Sequence, residues 1–128
     1  MSVGYNGRKG ENDMPRRSVF DMKMSDVYTA LVNKAEKKGR TRAEVDEVAS
    51  WLLGYTEEEI EKICSGNASY GEFLSGAPSL NPRASLITGK VCGIRVEDIE
   101  EPLTRTMRML DKLVDELAKG RPMERIKR

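Results

Sequence analysis

One stretch, Pro102 to Lys119, limits the folds open to this chain more than any other. Leu103, Met107, Leu110, Val114 and Leu117 recur at steps of four, three, four and three, which places them on one stripe of a helix. Met109 and Leu113 widen that stripe. Arg105, Arg108, Lys112, Asp115, Glu116 and Lys119 fall mostly on the opposite side. Lys112–Glu116 and Asp115–Lys119 lie one turn apart, where opposite charges help an exposed face slightly. A helix with so wide an apolar face must bury it against other elements, so the stretch predicts a helical domain with this helix as its spine.

The rest of the chain supplies partners for it. Residues 1–17 are rich in Gly, Asn and charge, and read as a disordered tail; residues 18–128 read as a single helical domain. Phe20, Met22 and Met24 alternate with Asp21 and Lys23, the pattern of a short extended segment. Ser25 is placed to cap a helix with Tyr28, Leu31, Val32 and Ala35 on one face, stopping at Gly39. Three further starts pair a hydroxyl with a glutamate three residues on: Thr41 with Glu44, Thr56 with Glu59, and Ser69 with Glu72. Those helices are expected to run to Gly54, to Gly66, and for one or two turns around Phe73 and Leu74.

Asn81-Pro82 reads as a cap followed by proline at the first helical position. Leu80, Ala84, Ile87 and Val91 then follow steps of four, three and four, predicting a short helix ended by Gly93. That helix is the expected principal partner of the long one, reached through the Ile94–Ile99 link. Ile94–Val96 reads as extended, and a pairing with the Phe20–Met24 segment is one way to satisfy both. Glu97, Asp98, Glu100 and Glu101 put negative charge where the long helix begins, as the helix dipole favours. Past Gly120, Pro122 is placed to open a last turn with Met123 and Ile126. The fold class expected is all-α, with about five to seven helices.

Composition narrows the chemistry. A chain of 128 residues suffices for one real core. Charged residues are 34% of it, with a net charge of +1, so bulk charge favours neither nucleic acid nor membrane. No apolar run approaches the ~20 residues of a membrane span, and the first residues lack the apolar segment of a secretory signal. A cytoplasmic location is the expectation. The chain contains no histidine, which removes the commonest general base and metal ligand. Cys64 and Cys92 stand far apart in apolar surroundings and read as buried, reduced thiols.

Several patterns invite a chemical reading. Thr88-Gly89-Lys90 is a partial phosphate-loop string, but Ala84 and Val91 occupy positions where that motif needs glycine and a hydroxyl. Glu57 with Glu61, and Glu97 with Glu101, offer carboxylates to a divalent cation, yet both pairs lie at helix starts, where carboxylates serve as caps. A helix-turn-helix across Gly54-Tyr55-Thr56 would present Glu57, Glu58, Glu59 and Glu61 to phosphates, which opposes binding. Basic residues do cluster. Lys34, Lys37, Lys38, Arg40 and Arg42 give residues 33–42 a net charge of +4, and residues 119–128 carry +4 as well. Residues 43–62 carry −6. Trp51 and Tyr55, one turn apart at a helix end, can close a small core or anchor a partner.

At a longer scale, KAEKKGRTRAEVDEVASWLLGY, NPRASLITGKVCGIRVEDIEEP and LDKLVDELAKGRPMERIKR resemble a family of small bacterial proteins, domain-of-unknown-function family 2200. The resemblance runs over roughly residues 19–128, leaving the N-terminal tail as an addition. Where that family has Trp-Leu-Thr-Gly-Tyr, this chain has Trp51-Leu52-Leu53-Gly54-Tyr55. The resemblance implies no activity, cofactor or catalytic residue.

The functional expectation is therefore a non-enzymatic helical interaction module, self-associating, with no catalytic, cofactor-binding or metal-binding residues. Its candidate surface is Trp51, Tyr55, Lys37, Lys38, Arg40, Arg42, Met109 and Leu113. The alternative is a nucleic-acid-binding accessory protein using the Lys34–Arg42 basic patch. A third reading is an enzyme acting through carboxylates and a metal.

Overall fold

The structure, a computed structural model, describes residues 18–91 and 93–128. The tail expected over residues 1–17 and the thiol of Cys92 lie outside the described residues. A 3-10 turn at Val19–Asp21 precedes α1 (Met24–Glu36), α2 (Arg42–Leu53), α3 (Glu57–Cys64) and α4 (Tyr70–Ser75). A second 3-10 turn, Pro82–Leu86, leads into a small antiparallel hairpin of β1 (Lys90–Val91) and β2 (Ile94–Arg95). A third, Val96–Asp98, precedes the long α5 (Pro102–Ala118), and α6 (Met123–Ile126) closes the chain. Among the described residues the fold is all-α apart from that hairpin.

Local chemistry explains most of the starts. Thr41, Thr56 and Ser69 each accept a hydrogen bond from the backbone N–H three residues on, while Glu44, Glu59 and Glu72 each accept from the cap's own N–H. α2 stops at Gly54, whose φ of +86° suits glycine and whose missing side chain lets the Ser79 backbone approach. Ser79 N and Asn81 N donate to the carbonyls of Leu53 and Leu52, and Asn81 Nδ2 donates to that of Trp51. The segment after α4 thus finishes α2, because those last carbonyls have no partner within the helix.

The start of α1 differs from expectation. Lys23, not Ser25, occupies the cap position and makes no side-chain bond there. The neighbouring backbone is tied to the entry of α4 instead: Met24 N donates to Ala68 O, and Tyr70 N donates to Met22 O. Lys23 therefore pairs with Ser69 in an isolated bridge, and Phe20–Met24 does not meet Ile94–Val96.

Between Asn81 and Gly93 the predicted helix is absent. Asn81 does cap Pro82–Leu86, accepting from Arg83 N, but the turn is 3-10 and ends after five residues. Gly89 and Gly93 sit at φ +105° and +79°, so the chain reverses into a hairpin. Ile87, Thr88 and Val91 are β-branched and lose side-chain freedom in a helix, which favours this outcome.

The buried apolar residues form one cluster, and α5 runs through its centre against α1, α2, α4, α6 and β1. Met107, Leu110, Leu113, Val114 and Leu117 are buried, and so is Met109. Leu113 is fully enclosed and Met109 is 4% exposed, both covered by this chain itself. The principal neighbours of α5 are α1 and α2, and not the Ala84–Val91 segment expected from the pattern. One residue on the polar side also goes inward, for Glu116 is only 7% exposed.

Candidate functional site

Glu116 marks the place where charge is concentrated inside the fold. α1 ends at Glu36, and Gly39 at φ +82° turns the chain so that Arg40 stands just before the capping box of α2. The Arg40 guanidinium bonds Glu44 through Nε at 3.2 Å and Nη2 at 2.8 Å. Its Nη1 donates to Leu117 O at 3.1 Å and Arg121 O at 3.0 Å. One cation thus caps the C-terminal end of α5, where free carbonyls and the helix dipole favour positive charge. The hydrogen bond from Arg40 holds the Glu44 carboxyl below its ordinary range and raises the Arg40 guanidinium.

Around this bond the end of α5 is surrounded by ion pairs. Asp115 meets Lys119 at 3.0 Å and Lys34 at 3.3 Å. Burial pushes the Asp115 carboxyl up, but the two lysines outweigh it and hold it below its ordinary value. Arg128 Nη2 lies 2.6 Å from Glu116 Oε2, Arg121 Nη1 lies 3.2 Å from Oε1, and Lys112 Nζ lies 3.9 Å from Oε2. Lys127 pairs with Glu47 on α2, and Arg83 donates to Arg128 O at 2.7 Å. The two basic stretches, some eighty residues apart in sequence, therefore meet at one end of the molecule.

Between them lies a cleft of about 400 Å³ lined by Lys112, Glu116, Lys119, Gly120, Arg121, Pro122 and Arg125. Four cations face one carboxylate in that lining. Lys37 and Lys38 are exposed on the turn beside Arg40 and make no ion pair among the described residues. Arg125 is exposed and likewise unpaired there.

The residues expected as a surface divide three ways. Lys37, Lys38 and Arg40 reach this end, although Arg40 is committed to Glu44 and to α5. Arg42 turns away: it lies 5.7 Å from the centre of the Tyr28 ring and 3.9 Å from Asp46. Tyr28 is buried and donates to the Asp46 carboxylate; burial, then that bond, raises its hydroxyl far above the ordinary range. Tyr55 belongs to the core, stacked at 5.1 Å on Phe73 and donating to Phe73 O. Trp51 is half-buried against the same core. Met109 and Leu113, being buried, add no surface. Lys112, Glu116 and Arg125 are missing from the expected surface; the +4 charge of residues 119–128 points to Arg125, and only their i,i+4 spacing marks Lys112 and Glu116.

The carboxylates of α3 form a separate group. Glu57, Glu58, Glu59 and Glu61 of α3 are exposed; α3 opens beyond the far end of α2 from Arg40 and runs back along it, so that Glu61 shares a cleft with Arg42, Ala43 and Asp46. The 12 residues of α2 span about 18 Å. Among the described residues no three carboxylates or thiols gather to hold a metal ion. At the partial phosphate-loop string, Gly89 N donates to Glu97 Oε1 at 2.9 Å, so a protein carboxylate already takes that donor. No helix is long and apolar enough to cross a membrane among the described residues.

Comparison with known proteins fits this fold and leaves its chemistry open. The chain is similar to a crystal structure of uncharacterized protein SP1917, with a TM-score of 0.82 and 42% identity over 84% of this chain and 88% of that one. No curated protein matches it. A family model described as an uncharacterized protein conserved in bacteria matches residues 18–128. The chain therefore belongs to that bacterial family, DUF2200.

Proposed function

We propose that the protein is a non-enzymatic interaction module whose basic end docks an acidic protein surface. The observation that carries this reading is the placing of Arg40, whose bonds to Leu117 O and Arg121 O bring both basic stretches to one end. A second copy of this chain offers a suitable acidic surface, the exposed carboxylates of α3. Such contacts join the basic patch of one copy to a different, acidic patch on the next. They are exposed, so they are weak and sensitive to salt. Sedimentation at high micromolar protein and low salt should give species larger than the monomer. Replacing Lys37 and Lys38 with glutamate should remove them. Monomer alone at low salt would sink the self-association reading.

The exposed pair Lys37 and Lys38, with Lys119 nearby, also supports a second reading as a nucleic-acid accessory protein. A low-salt gel-shift assay with mixed RNA and DNA separates the two. Binding that weakens with a steep salt slope supports it, and no shift removes it.

A further inference from the structure

We propose that the cleft at the C-terminal end of α5 takes a small organic phosphate carrying a hydroxyl close to the phosphate group. Lys112, Lys119, Arg121 and Arg125 converge on it from α5, from the turn after it and from α6. Their four positive charges exceed the negative charges of Glu116 and of Asp115, which pairs with Lys119, by two, an excess that a doubly charged head group neutralises. Arginine and lysine donors arriving from separate elements suit the several acceptor oxygens of a phosphate monoester.

The second observation concerns Glu116. Its Oε1 is buried and accepts no hydrogen bond, although Arg121 Nη1 stands 3.2 Å away in a misaligned position. A buried carboxylate oxygen without a donor is costly, and such groups in native structures call for a partner. Arg121 is 42% exposed and so can turn toward a bound phosphate. That movement uncovers Oε1 for the ligand's hydroxyl, while Arg128 keeps its 2.6 Å bond to Oε2 and holds the carboxylate in place. Arginine then serves the anion and glutamate serves the donor, and the ligand replaces one poor contact by two good ones. This small-molecule site is separate from any docking by Lys37 and Lys38, which do not line the cleft.

Calorimetric titration of the full chain with glycerol phosphate, propyl phosphate and inorganic phosphate tests the proposal. Glycerol phosphate should bind saturably, and propyl phosphate, which lacks the hydroxyls, at least about tenfold more weakly, the loss of one hydrogen bond to a charged group. Arg125→Met and Lys119→Met should each weaken glycerol phosphate by about tenfold, the loss of one charged hydrogen bond, with circular dichroism unchanged. Lys37→Glu with Lys38→Glu should leave that affinity as it is, whatever becomes of macromolecular docking. No saturable binding at about 10 mM, a ceiling close to the weakest useful affinities, overturns the site. Equal affinity for glycerol phosphate and propyl phosphate overturns the role given to Glu116, and binding indifferent to Arg125 and Lys119 overturns the location.

Discussion

The two ends of α5 are finished by different physics. At the N-terminal end Glu101 accepts from Leu103 N at 3.0 Å and Thr104 N at 2.7 Å, and Pro102 removes a donor that would otherwise need a partner. Everything needed lies within three residues and faces solvent. At the C-terminal end the carbonyl of Leu117 is met by Arg40, 77 positions away in sequence, and Glu116 is met by Arg128 from beyond α6. The first arrangement fixes where the helix begins. The second fixes where the helix lies relative to α1, α2 and α6, and it concentrates cations at a single end.

Breaking the middle of α5 should abolish the distinction altogether. Leu110 is fully buried between the two ends. Leu110→Ala should cost about 3 kcal/mol by lost apolar transfer and the cavity left behind, measured by urea unfolding. Both ends should loosen together in amide hydrogen exchange. Survival of full protection at either end would mean that α5 is not one cooperative unit.

Cutting the C-terminal clasp should come next. Arg40→Met removes donors to two carbonyls and to Glu44, and leaves Glu44 without its cation. A loss of about 2 kcal/mol is expected for charged hydrogen bonds of this kind. Exchange should rise at Arg121 and through α6, whereas the first turn of α5 should keep its protection. Glu101→Ala should cost less than Arg40→Met and should fray only Leu103 and Thr104. If Glu101→Ala proved the more damaging, local capping would outweigh the long-range clasp and the contrast between the ends would collapse.

The same contrast explains which parts of the molecule were legible in the sequence. The capping boxes at Thr41, Thr56 and Ser69, the stop at Gly54 and the stripe from Leu103 to Leu117 all follow from residues near one another. The hairpin was not legible, because Leu80, Ala84, Ile87 and Val91 satisfy helical spacing equally well when a short 3-10 turn leads into a reversal. Arg40 was visible as one charge in a basic run. Its long-range partners, however, are backbone carbonyls, which carry no residue type to read. Glu116 looked like an exposed member of an i,i+4 pair with Lys112. That pair exists at 3.9 Å, but the closing segment from Gly120 to Arg128 buries it. Met109 and Leu113, which looked like margin residues awaiting a partner, are covered for a similar reason: neighbours distant in sequence close over them.

The smallest effects should sharpen the comparison most, because salt, unlike acid, acts on the two ends differently. Glu101 is held below its ordinary 4.5 by bonds from Thr104 and Leu103, and Glu44 below the same value by Arg40. For carboxyls lowered in the folded state, the stabilisation is complete above the unfolded value and is lost as pH falls through the folded one. Acid below about pH 4.5 should therefore weaken both ends. Asp111 works against this trend, since burial raises it above 3.8 despite Arg108, and protonating it relieves the fold. Salt separates what acid does not. At neutral pH, about 0.5 M NaCl shortens the screening length to roughly 4 Å and weakens the pairs of Arg40, Lys34 and Lys119, while the cap of Glu101 uses neutral donors. Wild type and Glu101→Ala should thus lose the same small stability on adding salt, and Arg40→Met should lose less. Equal salt slopes in all three would place the clasp's strength in the hydrogen bonds of Arg40 to carbonyls, with its charge secondary.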